Sequence, residues 1–159
     1  MKKSSVPQNV LIIDSDYDEA SGFIKGLQEI TQEKWKVALY ENNKIYGIRR
    51  YIKFFTVALK TILSASEYEG KTVLCWQQFY GIAIAFYSRL FHLKKKYRLV
   101  IMTFIYKQKR GLLGKIFYHF VKYAITSQYV DKIILTTQSE NQMYKNIFGM
   151  DEQRFSFAK

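Results

Sequence analysis

The stretch Asn9-Val10-Leu11-Ile12-Ile13 is an unbroken apolar run closed by Asp14. A strand with one wet face alternates apolar and polar residues, whereas a continuous run of this length has the form of a strand buried on both faces. A sheet covered on both faces needs helices, and the sequence on the far side of Asp14 supplies one. After the loop Ser15-Asp16-Tyr17-Asp18, residues 19–31 place Ala20, Phe23, Ile24, Leu27 and Ile30 on one helical face. The same alternation continues outward. Strands are predicted at 36–40, 72–76, 98–104, 132–136 and 154–157, with helices over 46–65, 81–93 and 112–128. A last helix has Ser139-Glu140-Asn141-Gln142 as a capping box and Gly149 as its stop. Short apolar strands alternating with helices define an α/β fold, a Rossmann-like three-layer sandwich with a mostly parallel sheet. Such sheets bind ligands at the carboxyl ends of their strands. The loops to watch are therefore 14–18, 41–46, 77–80, 105–111 and 137–139.

The chain of 159 residues is the size of one domain, and 48% apolar composition excludes global disorder. One cysteine excludes an internal disulfide framework and a cysteine-rich metal site, and no metal or cofactor is expected. The longest uncharged stretch, Thr72–Ser88, is marginal for spanning a bilayer and contains Gln77, Gln78 and Gly81. The expectation is a cytoplasmic chain without a transmembrane helix, peripheral at the inner face of the membrane.

Charge is the strongest functional signal. Lys and Arg number 25 against 13 acids, a net +12, with 13 Tyr and 12 Phe. Residues 1–33 carry 3 basic and 6 acidic side chains, so the excess lies downstream; from Arg89 to Lys132 there are 11 basic residues and a single acid, Asp131. In 46–65, Ile48, Tyr51, Ile52, Phe55, Leu59, Ile62 and Leu63 form the stripe expected to face the core, with Arg49, Arg50, Lys53 and Lys60 opposite. In 112–128, Leu113, Ile116, Phe117, Phe120, Val121 and Ala124 are expected inside. Cations interleaved with rings suit an anionic membrane surface, where ammonium groups meet headgroups and aromatic rings occupy the boundary. The membrane-binding candidates are Arg49, Arg50, Lys53, Lys94, Lys95, Lys96, Lys109 and Arg110.

Other motifs give weaker signals. The opening resembles a receiver domain, but no Asp follows Thr72–Trp76. Arg110-Gly111-Leu-Leu-Gly114-Lys115-Ile116 has too short a glycine spacing for a phosphate loop, and Ile116 stands where a Ser or Thr is required. It also echoes the GxxG clamp of KH domains, which lies between two helices. His92 and His119 lie away from strand ends, and Cys75 sits inside a strand.

Three stretches carry a family resemblance: Thr72-Val-Leu-Cys-Trp-Gln-Gln-Phe-Tyr-Gly81 with Ala83–Phe91, Leu99–Lys107, and Val130-Asp131-Lys132-Ile-Ile-Leu-Thr-Thr-Gln-Ser139-Glu140 followed by Tyr144 and Phe148-Gly149. Together they resemble the N-terminal, acceptor-side domain of a retaining GT-B glycosyltransferase that uses nucleotide-sugar donors. The resemblance implies a role in polysaccharide or lipid-linked glycan synthesis, with a glycan or lipid-linked acceptor as partner. It also implies that the nucleotide-sugar is bound by a second domain or subunit, so transfer is not expected from this chain alone. Ser15-Asp16-Tyr17-Asp18 replaces the Gly-Gly turn of many relatives, and Phe104-Ile105-Tyr106 stands where many have a histidine, so no catalytic residue is assigned. The candidate acceptor contacts are Ser15, Asp16, Trp76, Gln77, Gln78, Tyr80, Thr103, Tyr106 and Lys107. Trp76 or Tyr80 would stack on a sugar face, Gln77 and Gln78 would offer paired amides, and Lys107, Lys109 and Arg110 would meet a lipid diphosphate. The competing expectations are a basic nucleic-acid-binding module, less favoured, and a non-catalytic interaction domain.

Overall fold

The computed structural model describes residues 6–14, 17–40 and 47–157. Six strands, β1 (Asn9–Ile13), β2 (Trp35–Leu39), β3 (Thr72–Cys75), β4 (Arg98–Ile101), β5 (Val130–Leu135) and β6 (Phe155–Phe157), form one sheet in the order β2-β1-β3-β4-β5-β6. Every neighbouring pair is parallel. The α/β expectation therefore holds, with a wholly parallel sheet. The helices are α1 (Tyr17–Thr31), α2 (Ile48–Leu63), α3 (Gln78–Leu90), α4 (Gly111–Ile125) and α5 (Ser139–Phe148).

Alternate residues of the central strands feed two cores. Val10, Ile12, Val73, Cys75, Leu99, Ile101 and Ile133 pack with residues from α2, α3, α4 and α5. Leu11, Ile13 and Leu74 pack with Ala20 and Ile24 of α1. Four helices thus cover one face and α1 the other. Parallel strands put all their carboxyl ends at one pole, and helices returning antiparallel start there. The first turns of α2, α3 and α4 therefore share that pole.

Three expectations from the sequence are corrected. First, α2 buries Phe54, Val57, Ala58 and Thr61, while Ile48, Tyr51, Ile52, Leu59 and Leu63 of the expected core stripe are exposed. The narrow stripe wins because small Ala58 and Thr61 let the helix approach closely, and the Thr61 hydroxyl is satisfied by the Val57 carbonyl at 3.0 Å. Likewise α4 buries Gly114, Val121, Ala124 and Ile125 and leaves Leu113 and Ile116 outside, and Ile30 of α1 is exposed. Second, α3 begins at Gln78 rather than 81, because the Gln77 side chain accepts the Phe79 amide at 2.8 Å and caps the helix. Third, the capping box at Ser139 does not form. Glu140 instead accepts the Thr136 and Thr137 amides at 3.1 and 3.0 Å and ties down the β5–α5 turn. Gly149 does end α5 in the left-handed conformation.

Cys75 is buried, and burial pushes its thiol well above the ordinary range. The native chain is expected to resist thiol reagents, with labelling at the rate of global unfolding; stoichiometric labelling within minutes under native conditions would place Cys75 elsewhere.

Candidate functional site

Strand order reverses between β1 and β3, each leading to a neighbour on the opposite side, and a crevice is expected at their carboxyl ends. A hollow of about 240 Å³ lies there, lined by Gly47, Arg50, Tyr51, Phe54, Gln77 and Phe79. Asp14, the residue that ends β1, is almost fully buried, and Arg50 from the first turn of α2 reaches its carboxylate at 3.6 Å. Beneath them Tyr80 is wholly buried, edge-on to Phe54 at 4.8 Å, and its hydroxyl has no hydrogen-bond partner among the described residues. Burial raises its pKa, and the Asp14 carboxylate adds to the rise. A buried hydroxyl without a partner costs stability.

The structure divides the sequence-derived acceptor candidates. Trp76 packs edge-on against Phe23 at 4.7 Å, on the α1 side of the sheet. Both amide atoms of Gln78 are committed to Ile105, donating to its carbonyl at 2.9 Å and accepting its amide at 3.0 Å. Gln78 thereby clamps the β4–α4 loop onto α3. Thr103 takes a positive φ of 48° and donates its hydroxyl to the Trp76 carbonyl at 2.6 Å. That conformation is strained for a β-branched residue. Tyr106 is buried, its amide donating to the Tyr144 hydroxyl at 2.9 Å, and its own hydroxyl also lacks a partner among the described residues. Lys107 is exposed in the same loop. Gln77, Gln78, Tyr80, Thr103, Tyr106 and Lys107 thus gather around the strand tips, where Gln77 lines the hollow and Tyr80 underlies it without an exposed ring face. Ser15 and Asp16 lie outside the described residues, as does loop 41–46.

The cationic candidates fall at two poles. Arg49, Arg50 and Lys53, in the first two turns of α2, and Lys109 and Arg110, just ahead of α4, are at the pole of the strand tips. Lys94, Lys95 and Lys96 follow α3 at the opposite pole, at the rim of a 340 Å³ cavity walled by Ile62, Leu63, Ile84 and Leu99; Lys95 pairs with Asp131 at 2.8 Å. The spacing of Gly111 and Gly114 has a steric cause rather than a phosphate-binding one. A Cβ on Gly114 would lie 2.1 Å from the Lys109 carbonyl oxygen, so only glycine lets the basic loop fold back onto α4.

Sequence reasoning missed one feature. Apolar residues are left outside on both α2 and α4: Ile48, Ile52, Leu112 and Leu113 are 76, 58, 73 and 79% exposed. Between them runs a groove of about 300 Å³ lined only by Tyr51, Phe54, Phe55, Phe79, Ala83, Leu113, Ile116, Phe117 and Phe120. It shares Tyr51, Phe54 and Phe79 with the polar hollow. The available signal was α2 itself, which carries more apolar residues than one buried face accommodates.

Among the described residues no group of His, Cys, Asp and Glu is placed to hold a metal, and no helix is long and apolar enough to cross a membrane. Fold and site together define an all-parallel α/β domain with a strand-tip crevice beside an exposed apolar, cation-rimmed face. Comparison with protein-family models, with curated proteins and with solved structures returns no match for this chain.

Proposed function

We propose that this chain is the acceptor-side domain of a GT-B glycosyltransferase in polysaccharide or lipid-linked glycan synthesis, held against an anionic membrane. The observation that carries the reading is adjacency: the apolar groove between α2 and α4 and the polar strand-tip hollow share Tyr51, Phe54 and Phe79, with Arg50 and Lys109 over rings of the groove. A domain lying on a bilayer by that face holds the crevice at headgroup depth. Asp14, Arg50 and Gln77 there offer charged and amide groups to hydroxyls, the chemistry an acceptor glycan presents. Fixing the acceptor hydroxyl for in-line attack removes most of the encounter entropy. The nucleotide-sugar comes on a second domain or subunit, and transfer awaits it. Each rim cation contributes about 1 kcal/mol near an anionic leaflet, so Arg49, Lys53, Lys107, Lys109 and Arg110 with the apolar face suffice for reversible attachment.

The test is flotation of the pure chain with phosphatidylglycerol vesicles. Co-flotation is expected, with at least about a 100-fold loss of partitioning in the Arg49→Glu, Arg50→Glu, Lys53→Glu variant. The same loss is expected in Ile52→Glu, Leu113→Glu, while Lys94→Glu, Lys96→Glu at the opposite pole floats unchanged. Binding to oligonucleotides and not to vesicles, or loss of flotation confined to the Lys94 and Lys96 variant, overturns the reading.

A further inference from the structure

The α2–α4 groove has a chemistry of its own. Its walls and its floor, Phe79 and Ala83 of α3, are apolar throughout. At each wall a cation is held over a ring that lines it. The Arg50 guanidinium stands 5.7 Å from the centre of Phe54 on the α2 side, and the Lys109 ammonium 5.1 Å from the centre of Phe117 on the α4 side. No acid lies within ion-pair distance of Lys109 among the described residues. Arg50 meets Asp14 on its other side. A flat bilayer contact requires neither a groove nor a pair of cations placed on opposite walls.

We propose that this groove binds a single alkyl or isoprenyl chain bearing a phosphate, with the chain between Tyr51, Leu113 and Phe117 and the phosphate between Arg50 and Lys109. The inference rests on the reading of this face as lipid-directed and names the lipid it selects. Charge complementarity sets the headgroup: two cations with one nearby carboxylate favour an anion, and Arg50 offers a planar fork that accepts two phosphate oxygens. Continuity sets the direction. Tyr51, Phe54 and Phe79 belong to the groove and to the crevice alike, so a phosphate held at the groove's upper end places whatever it carries beside Asp14 and Gln77.

The probe is dodecyl phosphate below its critical micelle concentration, titrated into the full chain without vesicles. Expected affinity is at least about 100-fold above that for inorganic phosphate and roughly tenfold above that for uncharged dodecyl glucoside. Arg50→Gln and Lys109→Gln each lower it about fivefold. Ala83→Leu, which fills the floor, abolishes probe binding while vesicle flotation persists. Because that variant tests packing as well, a second measurement stands on the native chain. A diazirine-bearing alkyl phosphate is expected to label peptides containing Tyr51, Leu113 or Phe117. Equal affinity for inorganic phosphate, equal affinity for dodecyl glucoside, or labelling confined to the cavity beneath Lys94–Lys96 overturns the proposal. Absent probe binding with intact flotation removes the groove site alone, whereas absent flotation removes the membrane reading itself.

Discussion

Replacing Gly81 by valine is expected to lower the stability of the domain by about 3 kcal/mol, or roughly 6–12 °C in melting midpoint. Gly81 is the point where α3 rests on the sheet. A Cβ built there lies 2.5 Å from Ile101 Cγ1, 3.1 Å from Ile101 Cδ1 and 3.4 Å from Cys75 Cβ. Ile101 is fully buried in β4 within the larger core, where close packing resists its displacement. Either α3 lifts off the sheet or β4 is pushed aside. Both disturb Gln78, which sits one turn earlier and clamps the Ile105 backbone. Urea denaturation of Gly81→Val and Gly81→Ala checks the size of the effect. Combining Gly81→Ala with Ile101→Ala is expected to recover part of the loss, since the second change removes the atoms the first one meets. Gly81→Val melting within about 0.5 kcal/mol of the native chain would mean that the helix does not lie so close.

The same closeness explains why parts of this protein are legible from sequence and others are not. Val10–Ile13, Val73–Cys75 and Leu99–Ile101 are apolar on both faces, and only a sheet covered on both sides uses such strands. The order of strands and helices follows from that alone. Which face of a helix turns inward does not. In α2 the stripe Ile48, Tyr51, Ile52, Leu59, Leu63 is more hydrophobic than Phe54, Val57, Ala58, Thr61, yet the second is buried. Periodicity detects a helix, whereas the buried side is settled by which side chains let two backbones approach. Ala58 and Thr61 allow that approach beside Phe54 and Val57, and the other apolar stripe is left on the surface.

The candidate site shows a related limit. The pole was legible because parallel strands place their tips together. The roles of single residues were not, because Gln78 and Trp76 look like free strand-end groups until their partners are known. Gln78 spends both amide atoms on one loop residue, and Trp76 belongs to the α1 side. The residue that carries most of the chemical information, Tyr80, was expected to stack on a sugar; its ring is enclosed, and only its hydroxyl faces toward Asp14 and Arg50.

That hydroxyl leads to the second large effect, a cooperative alkaline unfolding above about pH 10. Burial raises the pKa of Cys75, of Tyr80 and of Tyr97 above their ordinary values. A group whose native pKa is raised holds its proton after the unfolded chain has released it. Its contribution is complete below the unfolded pKa and is lost as pH rises toward the native one. For the thiol the loss starts near pH 8.5 and for the two tyrosines near pH 10, at about 1.4 kcal/mol per group per pH unit. The three losses add as pH rises past these values, against a total stability of only about 5–15 kcal/mol for an ordinary domain. Far-UV circular dichroism and tyrosinate absorbance are expected to change together in one steep transition; gradual tyrosinate formation with the helices intact would refute it. Tyr80→Phe separates the hydroxyl from the ring. Because that hydroxyl has no partner among the described residues, removing it is expected to raise stability at neutral pH by about 1 kcal/mol and to shift the alkaline transition upward. Tyr97→Phe is expected to shift the transition without the neutral gain, because the Tyr97 hydroxyl is bonded to Ser88.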